Sequence, residues 1–367
     1  MRRMALFTLL FLFGINDAFA GLITRAGYLA VGRSNATATL LPDGRVLVAG
    51  GNADERRLEI FDPRTGVSVL THEVTELPQL GHTATLLRDG RILLAGGGYK
   101  TDGRPIFGYY GSVSSEVYDP GTGELTPAGR MNHYRRDHTA TLLEDGRVLI
   151  AGGENVSLGG FHLYRDVLNS AEIFDPATNS YQLIVSMHER RSNHTATRLR
   201  DGRVLIAGGQ LGYDDLRTME IFDPRTETFE PVVPLEHAHT NHTATLLADG
   251  RVLIVGGGNF AGSFAEIYDP VANEVEPAGD VGPAGVNAAT LLPTGQVLIA
   301  GGAEAVVYDP ATMNVIERFP FDASAPAAAL LPDGSVLLAG GVKDLVNRDE
   351  VRRYYPTPVR PRRRAVR

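Results

Sequence analysis

The side chains best suited to chemistry are histidines and arginines gathered in the middle of the chain, where eight of the ten histidines fall between His133 and His242. One run, His237-Ala-His239-Thr-Asn-His242, places ring nitrogens near enough in sequence to share a metal ion. No carboxylate at a fixed spacing completes a ligand set, so no metal and no cofactor is expected. The absence of cysteine removes thiol nucleophiles, thiolate metal sites, disulfides and lipid-modified cysteine anchors together. No nucleophile or acid pair stands in a recognisable motif, and no catalytic residue is assigned.

A second kind of chemistry lies in two segments where rings alternate with cations. The first holds Tyr99, Lys100, Arg104, Phe107, Tyr109 and Tyr110, and the second Phe161, His162, Tyr164, Arg165 and Asp166. Close to them in the sequence stand His133, Tyr134, Arg135 and Arg136, then His188, Arg190 and Arg191. Aromatic faces beside Arg and His suit stacking on sugars or capture of an anionic ligand, because rings give area at low entropy cost and guanidinium binds carboxylates bidentately. The competing reading is that the rings only cover the interior of their own loops.

The elements that position these residues are copies of one unit. The phrase from His82 to Gly97 returns from His138 to Gly153, from His194 to Gly209 and, altered, from His242 to Gly257, with weaker copies beginning at Ala36, Asn287 and Pro326. Glycine pairs at 50/51, 96/97, 152/153, 208/209, 256/257, 301/302 and 340/341 mark seven units, and such a period dictates architecture. A second phrase follows six of the pairs: Glu59 to Pro63, Glu116 to Pro120, Glu172 to Pro176, Glu220 to Pro224, Glu266 to Pro270 and Val306 to Pro310; a degenerate seventh lies around Glu350 to Pro356.

Each unit reads as a meander of strands A to D. Strand A is the Thr-Ala-Thr-Leu-Leu run, and the Asp-Gly after it, as at Asp43-Gly44 and Asp145-Gly146, predicts a hairpin in which both residues tolerate φ > 0. Strand B is the apolar run before the glycine pair. Strand C carries an aromatic and stops at Asp-Pro, a turn signal. Strand D follows, as over 181–185 and 228–232. Sheets buried on both faces must cover one another, and radial closure leaves only short edges. Small residues in strand A suit the crowded axis of such a ring. Residues 21–28 are expected to supply the fourth strand of the last unit, begun near Ala325, and so to close it.

The doubled glycine, the aromatic-Asp-Pro phrase and the repeat length resemble the kelch repeat over nearly all of the chain beyond residue 20. The resemblance implies an all-β, seven-bladed β-propeller of four-stranded antiparallel blades spanning 21–356, most like exported bacterial kelch-repeat proteins. The kelch tryptophan of strand D is absent, and Tyr181, Phe229, Leu125, Val275 or Val315 stands there instead. Kelch propellers include copper radical oxidases, whose cysteine-tyrosine cofactor cannot form in a chain without cysteine, and sialic acid mutarotases, which are exported and of similar length but six-bladed.

Repetition reassigns several polar residues. His82, His138, His194 and His242 occupy one position in successive units and are expected to be scaffold. The Arg opening strand B and the Asp closing strand C share one end of the blade, so Arg45 with Asp62 and Arg91 with Asp119 are expected to pair, weakly. Asn35, Asn193 and Asn241 lie in Asn-X-Ser/Thr triplets within the repeat phrase and read as scaffold as well.

Function is expected where the units differ. Between the glycine pair and the strand C phrase lie 7, 18, 18, 10, 8 and 3 residues in units one to six, and the two long insertions carry the ring-and-cation segments. In this strand order the B-to-C loops and the D-to-A linkers open on one face. The candidate ligand-binding set is therefore Tyr99, Arg104, Phe107, Tyr109, Tyr110, His133, Arg135, Arg136, His162, Tyr164, Arg165, His188 and Arg191.

The ends carry different signals. Met1-Arg2-Arg3, an apolar run over 4–15 and Ala18-Phe19-Ala20 have the order of a cleaved secretory signal over residues 1–20. The run is shorter than the roughly 20 residues of a membrane span. Residues 357–367 are basic and proline-punctuated and are expected to be disordered. A net charge of −8 gives no pull on nucleic acid. The expectation is an exported, periplasmic or secreted, binding protein for a glycan or protein ligand, acting through the loops of blades 2 to 4. The alternatives are a carbohydrate-active enzyme of the mutarotase type and a structural component of the envelope.

Overall fold

In the computed structural model the described residues are 21–52, 54–76, 80–100, 109–159, 162–257, 265–279, 281 and 288–357. Residues 1–20, expected to be a secretory signal, and the tail from 358 lie outside them, as do Arg104, Phe107 and Phe161.

The seven units form seven antiparallel sheets with the strand order A-B-C-D, in chain order in blades 1 to 6. Blade 1 consists of Thr37–Leu40, Val46–Ala49, Arg57–Asp62 and Val67–Val74. Blade 2 has Leu80–Leu86, Ile92–Lys100, Ser115–Tyr118 and Leu125–Pro127, and Tyr109–Gly111 pairs with the extended end of its strand B. Blade 3 has Thr139–Leu142, Val148–Ala151, Ala171–Asp175 and Ser180–Leu183; blade 4 has Thr195–Arg198, Val204–Ala207, Met219–Asp223 and Thr228–Val232. Blade 5 has Thr243–Leu246, Val252–Val255, Ala265–Asp269 and Glu274–Pro277; blade 6 has Ala288–Leu291, Val297–Gly301, Glu304–Asp309 and Asn314–Pro320.

Blade 7 takes Ala327–Leu330, Val336–Ala339 and Glu350–Tyr355 from the end of the chain and Leu22–Tyr28 from its start, with Leu22 opposite Tyr355 and Tyr28 opposite Glu350. The ring thus closes through the segment expected to close it. Each strand A lies beside that of the next blade all the way round, blade 7 against blade 1 included. Strand B is buried at every residue in blades such as 3, 4 and 5, because side chains on both of its faces meet a neighbouring blade. The apolar side chains accordingly gather in seven clusters, one at each junction, with Phe174 between blades 2 and 3 and Tyr268 between blades 4 and 5. Tyr181 and Phe229, standing where kelch repeats carry tryptophan, pack on Phe174 and Phe222 with ring centroids 4.9 Å apart.

Two local expectations are corrected. In the A-to-B hairpin only the glycine takes positive φ, +87° at Gly44 and +92° at Gly146. Leu41 N–H bonds Arg45 O and Gly44 N–H bonds Leu41 O, a three-residue loop rather than a two-residue one. The aspartate instead turns forward: Asp43 accepts from Arg45 N–H at 3.0 Å and from its Nε at 2.7 Å. That contact also displaces the expected pairs between strands B and C of one blade. Arg45 and Arg91 pair with Asp43 and Asp89, while Asp62 pairs with Arg64 and Asp119 caps its turn through Gly121 N–H. A partner two residues away costs less side-chain entropy to hold than one on another strand.

The repeated histidines are scaffold. Nε2 of His82, His138, His194 and His242 lies 3.3, 3.1, 3.0 and 2.9 Å from the hydroxyl of Thr37, Thr83, Thr139 and Thr195, each on strand A of the preceding blade. Their Nδ1 atoms are buried and have no partner among the described residues, so the ring is held neutral, since a second N–H there would have no acceptor. Burial holds His82 down to about 4 and His242 to about 3, and His138 and His194 well below the usual range.

Candidate functional site

The rim where B-to-C loops and D-to-A linkers meet is built on a buried ion pair repeated from blade to blade. In blades 1, 3 and 4 the linker arginine three residues ahead of the strand A phrase turns inward. Arg33, Arg135 and Arg191 are fully buried and reach Glu59, Glu172 and Glu220 at 2.9, 2.7 and 3.0 Å. Each also donates to the first carbonyl of its glycine pair, Gly50, Gly152 or Gly208. The carboxylates are completed by linker amides: Glu172 accepts from the N–H of Asn132 and His133, Glu220 from those of His188 and Glu189. These bonds and the guanidinium hold both carboxyls below the usual range despite burial. Arg135 and Arg191 therefore leave the candidate ligand set, since their five donors face protein and not solvent.

Between the ion pairs and the axis the linkers form a second ring. Asn35, Asp137, Asn193 and Asn241 adopt left-handed backbone with φ of 51 to 54°, a conformation Asn and Asp tolerate. Their amides chain together: Asp137 N–H donates to Gly81 O, Asn193 N–H to Asp137 O and Asn241 N–H to Asn193 O, at 2.8 to 3.1 Å. The asparagine triplets are thus scaffold, as expected. The second glycine of each pair lies beneath this ring. At Gly153 a Cβ would stand 2.6 Å from Arg136 O, and at Gly209 2.7 Å from Ser192 O.

Blade 3 breaks the pattern. Glu154, directly after its glycine pair, is fully buried and exchanges both backbone bonds with Arg136. Its Oε1 accepts from the guanidinium of Arg136 and, at 3.1 Å, from that of Arg165, while Oε2 has no hydrogen-bond partner among the described residues. Arg165 rises on the insertion hairpin Glu154–Gly159 with His162–Val167, donates to Gly212 O and lies over the ring of Tyr213 at 5.5 Å. The charges of Arg136, Glu154 and Arg165 all act on Asp137, whose carboxyl burial raises above its usual range, so the cluster reaches the axial ring. Strand Tyr109–Gly111 of the blade 2 insertion lies beside this hairpin, and Ser112 bridges to Arg135 at its base.

The remaining predicted residues spread along the same rim. Tyr164 is 57% exposed and Tyr213 83%. His188 bonds Glu220 through Nδ1 at 3.1 Å, and His133 lies 3.8 Å from Glu172. Arg190, paired with Asp166, ties the blade 4 linker to the hairpin. Tyr99, Tyr109, Tyr110 and His162 fall in the paired strands of the insertions. The structure brings together Arg136 and Arg165, and adds Glu154, Asp137 and Tyr213, which the sequence reading passed over. Glu154 had a signal: no other unit carries an acid directly after its glycine pair. A cleft of about 660 Å³ runs from strand D of blade 1 to the C-to-D turn of blade 2, and the residues that line it, Val67, Val69, Tyr118 and Pro120 among them, include none of this cluster.

Residues 190–236, the blade 4 linker through strand D and beyond, match the Kelch motif. No curated protein matches the sequence. Among solved structures the chain is similar to "Novel fungal alcohol oxidase with catalytic diversity among the AA5 family, in complex with copper", with a TM-score of 0.68, 17% identity, and coverage of 93% of this chain and 78% of that one. At that identity the likeness is one of fold.

Proposed function

The chain is a kelch-repeat, seven-bladed β-propeller, and on that premise we propose that it is a binding protein holding a glycan or protein ligand on the rim of blades 2 to 4. The observation that carries this reading is the cluster at Glu154, which no other blade repeats. Glu154, itself sealed from solvent, fixes the guanidinium groups of Arg136 and Arg165 at the rim, and the partly exposed Arg165 keeps N–H donors for a carboxylate or a hydroxyl of a ligand. A sugar hydroxyl both donates and accepts, and the exposed rings of Tyr164 and Tyr213 offer faces on which a pyranose or a peptide side chain can stack. The order of residues 1–20 supports export, to the periplasm or beyond. A mutarotase reading loses support from the blade count, since that family's ring has six.

The test is a glycan array with the chain from Gly21 onward, followed by calorimetric titration of any hit. Tyr164→Ala with Tyr213→Ala should leave the melting temperature unchanged and weaken binding by about tenfold or more, equivalent to about 1.4 kcal/mol. Binding that survives the double replacement would refute this rim as the site.

A further inference from the structure

Blade 5 departs from its sisters at the buried ion pair. Where blades 1, 3 and 4 have Arg33, Arg135 and Arg191, it has His239, and the strand C carboxylate is Glu266. His239 is 1% exposed, and its Nδ1 lies 2.7 Å from Gly256 O, the equivalent of the carbonyls the arginines reach. A carbonyl only accepts, so Nδ1 carries the proton and Nε2 presents a lone pair. Among the described residues Nε2 has no hydrogen-bond partner, and it faces Glu266 Oε2 at 3.8 Å. Two acceptors thus oppose each other across a gap that a guanidinium fills in the sister blades. Among the described residues no Arg or Lys pairs with Glu266. Around the same carboxylate, His237 Nδ1 lies 2.7 Å from Oε1, and ligand atoms of Glu236, His237 and Glu266, His239 not among them, lie within 4.8 Å of one another.

We propose that this is a divalent cation site that takes Zn²⁺ between His239 Nε2 and Glu266, with the more exposed side chains of His237 and Glu236 turning in to complete the donor set. Zinc binds imidazole nitrogen and carboxylate oxygen at about 2.0–2.2 Å each, so one ion spans the observed gap. A set of nitrogen and oxygen donors without sulfur falls within zinc's range. The carboxylate that the histidine run lacks in sequence comes from strand C, 27 residues beyond His239, so the expectation of no metal set there rested on local spacing alone. In chemical terms the ion replaces the missing guanidinium and ties linker to blade, as the arginine does elsewhere.

The experiment uses the full chain after chelator dialysis, titrated with zinc chloride by calorimetry and melted with and without the metal. One saturable site and a raised melting temperature that EDTA reverses are expected. His239→Arg restores the sister arrangement; it should fold, melt no lower than the metal-free wild type and bind zinc at least about tenfold more weakly. Glu236→Ala, at an exposed position, should weaken zinc binding without changing the metal-free melt. Absence of a saturable site in the wild type overturns the proposal. So does undiminished binding in His239→Arg, which would assign the zinc to exposed histidines such as His188.

Discussion

The four axial histidines make the ring sensitive to acid in a way that can be worked out residue by residue. His82 has a folded pKa of about 4 against an ordinary 6.5, because protonation would put a charge, and an Nδ1–H without an acceptor, into a buried ring. Its pKa is depressed, so the unfolded chain binds the proton first, and the stability present above pH 6.5 is lost as pH falls toward the folded value. Between those limits the loss is about 1.4 kcal/mol per pH unit, and by pH 5 it amounts to about 2 kcal/mol for His82 and about the same for His242, held to about 3. His138 and His194 act in the same direction. The total is a large fraction of a typical domain stability of about 5–15 kcal/mol. Urea unfolding at steps from pH 7.5 to 5 keeps the measurement above most carboxylate titration. The variant His82→Asn takes the residue that blade 6 carries at this position, Asn287, and should lower the slope of stability against pH by about one proton. A slope near pH 5 of less than one proton in the wild type, or an unchanged slope in the variant, would refute the neutral-ring argument.

Two further outcomes follow from the closure and the buried pairs. Removing residues 21–28 exposes the edge of Glu350–Tyr355 and the faces of Val351 and Tyr354, now fully buried, and should lower the melting temperature by at least about 10 °C, a loss of about 5 kcal/mol; an unchanged melt by calorimetry would mean the ring closes without that strand. Arg191→Met leaves Glu220 buried without its guanidinium and should cost about 3 kcal/mol in urea unfolding, with Glu220→Gln on the same chain restoring part of it, because breaking a buried pair costs more than replacing it.

Much of the molecule was legible in the residues because the same requirements recur seven times. Apolar strand B runs, glycine pairs and Asp-Pro turns are local demands of one blade, and their count gives the ring. Even the closing strand could be read, from its position relative to the first copy. The polar network was less legible. In blade 7 the linker and strand C exchange charge, with Asp322 paired to Arg352, so the pairing rule is visible only when strand register puts Arg352 where Glu172 stands in blade 3.

The sequence by itself determined the repeat, the all-β architecture, the number of blades, the scaffold role of the axial histidines and the location of the irregular loops. Tertiary structure decided which charged side chains face ligand and which face protein. Arg135 and Arg136 are neighbours in the chain, yet one is sealed against Glu172 while the other shares Glu154 with Arg165. Glu266 joins His239 from a different strand. The cause is that burial and charge pairing act through space: a linker's direction over the rim sets the solvation of each group on it.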